Sequence, residues 1–240
     1  MNHPKSLQFI LILALVASLS SCYSVYYVPS AQNVPLHDEK GGARVRGSAG
    51  TGITAKSLDF QGSFAFTKEL AIMANYQYAF WDGVTYDDVN GGMQRYTEMG
   101  IGYYKKFDHD VIFETYVGGG GGTITNEHPS GESTLGFNKV FIQPQVGFVT
   151  EKLEFAVGTR IYWLNYRDFA PVGSIPGEEM RKIDQLFDNS TYLLAEPHVT
   201  FRFGHDPVKV QLQLVPVGNI RRRPLNPESL MIYGGIQFKF

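Results

Sequence analysis

Charged side chains recur on one face of segments that alternate apolar and polar residues. Arg44, Arg46, Asp59, Glu98, Glu114, Glu154, Arg160, Glu196, Arg202, Lys209 and Lys239 all fall on the polar face. Acids and bases enclosed together must pair with one another or keep trapped water. The chemistry open to them is therefore a salt-bridged filling or the lining of a selective passage. Glu196 and His198 stand two apart on one strand face and offer the acid and base half of a hydrolase site. Such a site also needs a nucleophilic serine within hydrogen-bond reach, and the chain has no G-x-S-x-G elbow. A buried histidine with satisfied partners is the plainer reading. Gly118 to Gly122 form a run of five glycines, but no Lys-Ser or Lys-Thr follows as a phosphate cradle requires. In a strand, the run permits curvature or close packing against bulky neighbours such as Tyr104 or Tyr116. Asp82, Asp87, Asp88 and Asn90 lack the spacing of a calcium loop, and Arg221, Arg222 and Arg223 could meet phosphates through bidentate pairs. No metal or cofactor motif appears, so none is expected.

These side chains need strands to position them. Alternation is clearest where Leu70, Ile72, Ala74, Tyr76, Tyr78 and Phe80 oppose Ala71, Met73, Asn75, Gln77 and Ala79, and where Val208, Val210, Leu212 and Leu214 oppose Lys209, Gln211 and Gln213. The same pattern places Leu153, Phe155, Val157, Ile161 and Trp163 opposite Glu154 and Arg160. Strands are expected at 43–53, 57–67, 69–81, 95–107, 111–123, 138–150, 152–166, 191–204, 208–217 and 230–240, about ten in all. The joins at 68, 108–110, 151 and 205–207 are tight. Those at 82–94, 124–137, 167–190 and 218–229 are long, and the brief 54–56 belongs with them by position. Within the longest, 177–187 has helical composition, with Met180, Ile183 and Phe187 at helical spacing.

The N-terminal region is different in kind. An apolar run from Phe9 to Leu19 behind Lys5 reads as the core of a signal peptide spanning 1–21. Residues 22–40 contain Pro29 and Pro35 and no sustained alternation, so they read as a linker, with the body of the chain at 41–240.

Two stretches carry a resemblance. Leu19-Ser20-Ser21-Cys22 looks like the lipobox of bacterial lipoproteins, and it contains the chain's one cysteine. The resemblance implies acylation of Cys22 and anchoring in lipid. Met231 to Phe240 alternates Ile232, Gly234, Ile236, Phe238 and Phe240 against Tyr233, Gly235, Gln237 and Lys239, and ends on an aromatic residue. It resembles the closing strand of bacterial outer-membrane β-barrels, in which Ile236, Phe238 and Phe240 would form the signal read by the barrel assembly machinery. The combination is similar to barrel lipoproteins of Gram-negative bacteria of the Bacteroidetes type.

The chain has 43% hydrophobic and 14% aromatic residues with 26 glycines, which suits strands and membrane interfaces better than membrane helices. A formal charge of -2, with bases and acids interleaved, argues against a nucleic-acid partner. The expected fold is therefore all-β, an antiparallel up-and-down transmembrane barrel. Its apolar rows meet lipid and lipopolysaccharide and its polar rows are enclosed. Short turns and both chain ends are expected in the periplasm, with long loops outside. Aromatic girdles are expected from Phe80, Trp81, Tyr162, Trp163 and Tyr166 at one level and Phe64, Phe66, Phe107, Phe201, Phe203 and Phe240 at the other. The expected role is structural or surface-interacting through an external partner the residues do not identify. A small channel, a lipid-modifying enzyme and a lipocalin-like soluble carrier stand as alternatives.

Overall fold

The computed structural model describes residues 24–84, 89–189, 191–221 and 225–240. Cys22, the apolar run before it, Asp87, Asp88, Arg222 and Arg223 lie outside them. Among the described residues, ten strands close into a barrel. They are β1 (Ala43–Gly52), β2 (Lys56–Ala65), β3 (Leu70–Val84), β4 (Val89–Lys106), β5 (Val111–His128), β6 (Gly131–Val149), β7 (Leu153–Gly173), β8 (Thr191–His205), β9 (Val208–Pro216) and β10 (Leu230–Lys239). Each strand pairs antiparallel with its sequence neighbours. The ring shuts where β10 pairs with β1, with Val45 opposite Phe238 and Gly47 opposite Ile236. Closure gives each of these strands a partner on both sides among the described residues, the condition for a sheet to stand in hydrocarbon.

The alternation sets which side faces out. Phe155, Phe201 and Ile236 are each 46% exposed on the outside, while Glu154 is 5% exposed and Arg202 0% on the inside. Val45, Phe60, Met99, Val140 and Leu212 continue the exposed apolar belt around the ring. Each such side chain, already about half covered, would gain roughly 1 kcal/mol on leaving water, so the exterior is built for lipid. A soluble carrier would turn these rows inward.

The two ends of the barrel differ. At one end the joins 66–69, 107–110, 150–152 and 206–207 are all tight. At the other the strands overshoot the belt. β5 and β6 run on to a turn at Pro129 and Ser130, so the loop expected at 124–137 is almost entirely strand. Beyond the belt Thr123, Thr125, Glu127, Glu132 and Thr134 are polar, so the apolar row fades while the ladder continues. β7 likewise runs to Gly173 and is followed by a helix, α1 (Gly177–Asp188), which buries Glu179, Ile183 and Leu186.

Two further expectations are corrected. Trp81, Tyr162 and Tyr166 are buried inside the barrel and cannot join an aromatic girdle. Tyr162 and Trp163 are consecutive and so face opposite sides, and only Trp163 meets the exterior. The other correction concerns the supposed linker: every residue from Ser24 to His37 is buried within the lumen.

Candidate functional site in the barrel lumen

An extended segment with no strand beside it carries backbone donors and acceptors that must find partners once buried. Here the wall supplies them from inward positions. The Val28 N–H donates to Gln94 Oε1 at 2.9 Å, and Gln94 Nε2 donates back to the Val28 carbonyl at 2.7 Å. Gln213 does the same for Gln32, accepting at 2.7 Å and donating at 3.0 Å. Each glutamine thus stands in for a neighbouring strand at one residue.

Acids take further backbone donors. Asp59 accepts the Ala31 N–H at 2.9 Å, and Glu114 accepts those of Leu36 and His37 at 3.1 and 2.8 Å. Carbonyls are met by Gln77 and Tyr233 on Pro29 at 2.8 and 2.5 Å, and by Gln143 on Asn33 at 2.7 Å. Arg46 and Arg202 donate to the carbonyls of Gln32 and Val34. Pro29 and Pro35 bring no N–H, which lowers the number of donors to be satisfied.

The segment has a direction. At its start Ser24 and Tyr26 donate to Glu179 on α1 at 2.6 Å each, and the Tyr26 N–H reaches the Asn226 carbonyl at 3.0 Å. Tyr27 makes a parallel bridge with Pro227. At its finish Asp38 pairs with Arg44 at 2.9 Å and Lys239 at 3.5 Å, beside the tight turns. Ser24 and Phe240 therefore stand at opposite ends of the barrel, whereas the even strand number puts both chain ends on one side.

The charged residues expected to face inward are placed as follows. Arg44, Arg46, Asp59, Glu98, Glu114, Glu154, Arg160, Glu196, His198, Arg202 and Lys209 are all buried, and Lys239 is half-buried at the tight-turn end. Glu98 pairs with Arg160 at 2.8 Å and Lys139 at 3.7 Å, and it accepts from Asn75 at 2.6 Å and Tyr96 at 2.5 Å. Glu154 pairs with Arg202 at 2.6 Å and Lys209 at 2.8 Å. Arg202 and Arg46 both donate to Gln211 at 2.6 Å. Glu98 and Glu154 are thus paired with buried bases, as desolvation demands, whereas Asp59, Glu114 and Glu196 are held by hydrogen bonds from neutral donors.

Three partners were not picked out from the sequence. Lys139 lies 4.6 Å from the ring centroids of both Tyr96 and Tyr162 and donates to the Tyr27 hydroxyl at 3.0 Å. Its position shares a face with Phe137 and Phe141, which masked it; Gln143 and Gln145 on the same face were the available signal. Glu179 sits in a helix whose acids look solvated. Among the wall glutamines, Gln77 and Gln213 were read only as members of a polar face, and Gln94 and Gln143 carry no charge that would single them out.

At the tight-turn end the His37 imidazole is buried, with its ring centroid 5.6 Å from that of Tyr104. Neither of its ring nitrogens has a hydrogen-bond partner among the described residues. Burial alone would raise the Asp38 carboxyl, but Lys239 and Arg44 outweigh it and hold the group below its usual range.

Glu196 and His198 share the inner face, but the geometry gives them separate partners. Glu196 accepts from Tyr27 at 2.7 Å, Tyr162 at 2.8 Å and Gln32 at 2.7 Å. His198 Nδ1 contacts the Thr200 hydroxyl at 3.3 Å. No serine is brought against this imidazole by any hydrogen bond among the described residues. Asp82 is exposed and pairs with Lys56 at 3.4 Å. No group of three or more possible metal ligands stands together among the described residues. Ile236, Phe238 and Phe240 lie on the outer surface, with the two phenylalanine rings stacked 6.5 Å apart.

Known structures share this architecture. The translocator domain of autotransporter NalP from Neisseria meningitidis matches with a TM-score of 0.50 at 10% identity, over 98% of this chain and 95% of that one. The NanC porin matches with a TM-score of 0.40 at 11% identity, over 82% and 100%. LpxR from Salmonella typhimurium matches with a TM-score of 0.39 at 8% identity, over 81% and 99%. At such identities the likeness is one of fold alone. No family model and no curated protein matches the chain.

Proposed function

We propose that the chain is a lipid-anchored outer-membrane barrel of Gram-negative bacteria that is closed by its own N-terminal segment. Its work is done on its surface, as a structural or contact protein, and not through its lumen. The observation that carries this reading is the unbroken burial of Ser24 to His37 along the barrel interior. Wall side chains from most of the strands hold that segment, which supports a lumen filled by the chain itself. The exposed apolar belt supports a membrane location, and the tight turns at one end with overshooting hairpins at the other support turns inside and hairpins outside. The overshooting ends of β5, β6 and β7, with α1, are the surface offered to lipopolysaccharide and to an external partner. Ile236, Phe238 and Phe240 are proposed to engage the assembly machinery from the outer face of β10.

The experiment is single-channel recording in planar bilayers. The intact protein is expected to show no stable conductance, and a variant lacking residues 24–37 is expected to open a pore. Discrete openings of the intact chain would replace this reading with a channel.

A further inference from the structure

An even-stranded barrel with nearest-neighbour connections returns its last strand to the side where its first began. Phe240 and Ala43 obey that rule, pairing through backbone hydrogen bonds of 2.9 and 3.0 Å at the tight-turn end. The chain before Ala43 does not stay on that side. It passes Asp38, enters the lumen at His37 and is held along its length until Ser24, whose hydroxyl rests on Glu179 of α1 at the opposite mouth. Tyr26 at that mouth is tied both to Glu179 and to the Asn226 carbonyl, and the Tyr166 hydroxyl donates to the Tyr26 carbonyl. Three separate elements, α1, β7 and the approach to β10, thus grip the segment where it leaves the barrel.

We infer that the barrel carries its own N-terminus across the membrane, so that the chain upstream of Ser24 emerges on the α1 face, opposite Phe240. Two residues of chain reach at most about 8 Å between Cα atoms, so an acyl group carried two residues before Ser24 would have to reach the membrane from that mouth. Acyl chains attached there enter the leaflet on the α1 side. With the tight turns in the periplasm, this is the outer leaflet, and the lipid becomes a cell-surface anchor instead of an inner one. The lumen then acts as the conduit through which the N-terminus is displayed. This rests on the membrane-spanning part of the proposed function, and its lipid corollary on acylation of Cys22 and on the tight turns facing the periplasm, but not on whether the lumen conducts.

The test places one epitope between Tyr23 and Ser24 of the full chain, and in a second variant places it in the 107–110 turn. Antibody is expected to bind the first on intact cells and the second only after the outer membrane is permeabilised. Any other pattern overturns the proposal, including both epitopes being reached together. A second measurement does not depend on tolerance of the insertion. In a Cys22→Ser background, Ser24→Cys with Glu179→Cys is expected to be bridged by a short bifunctional maleimide, seen as a shifted band on denaturing gels. Ser24→Cys with Asp206→Cys, at the tight-turn end, is expected to stay unbridged. Bridging to residue 206, or none to residue 179, overturns it as well.

Discussion

Glu114 shows how much one inward carboxylate holds. It accepts the backbone N–H groups of Leu36 and His37 and the Gln145 amide at 2.7 Å. Glu114→Ala strands these buried donors together, and each unsatisfied group costs about 1–3 kcal/mol. Thermal unfolding in detergent should therefore shift by several degrees, and a protease should reach the segment near His37 first. An unchanged melting profile would mean the segment is not held there.

Among the elements, β5 has the tightest backbone approach. A Cβ added at Gly120 would lie 2.1 Å from the Thr97 carbonyl oxygen and 2.7 Å from the Glu98 Cα, both on the main chain of β4. Neither can give way without breaking the ladder, so Gly120→Ala is expected to lose about 3 kcal/mol. Gly62→Ala, on the outer face with nothing within 4 Å, should melt like the parent chain. Equal melting of the two variants would remove the packing explanation. The five-glycine run was read from the sequence as a site of close packing. The nearest neighbours are the β4 and β6 backbones, Glu98, Phe137 and Phe141, and neither Tyr104 nor Tyr116. The strands themselves were readable because period-two alternation is a local signal that membrane burial enforces. It vanished where Thr123 to His128 leave the belt, since no apolar row is needed in water. The helix could be read from Met180, Ile183 and Phe187, but its grip on the N-terminal segment could not, because Glu179 differs from a solvated acid only in what lies opposite.

At the scale of the whole molecule, the barrel and the segment that fills it are two structures joined by one short connection. The ring closes through β10 and β1 without any residue of 24–37, which is why the filling was the part hidden from sequence. A chain buried on all sides has no period to detect, and its prolines imitate a linker. The available clue was that Tyr23 to His37 contain no Asp, Glu, Lys or Arg, an unusual length of neutrality for a tether in water. The same independence makes a prediction. A barrel lacking residues 24–37 keeps its wall glutamines, Asp59, Glu114 and Glu196 in place, now hydrated, and so retains the binding track. The covalent join gives the native segment an effective concentration on the order of 1 mM. A free peptide of sequence 24–37 should therefore close the conductance of the deleted barrel at or below the millimolar range. Peptide with Gln32 and Asn33 replaced by leucine should not, because Gln32 Nε2 donates to Glu196 at 2.7 Å and Asn33 Nδ2 to Asn75 at 2.7 Å. Equal block by both peptides would show that the lumen accepts any extended chain, and that the wall amides do not select this one.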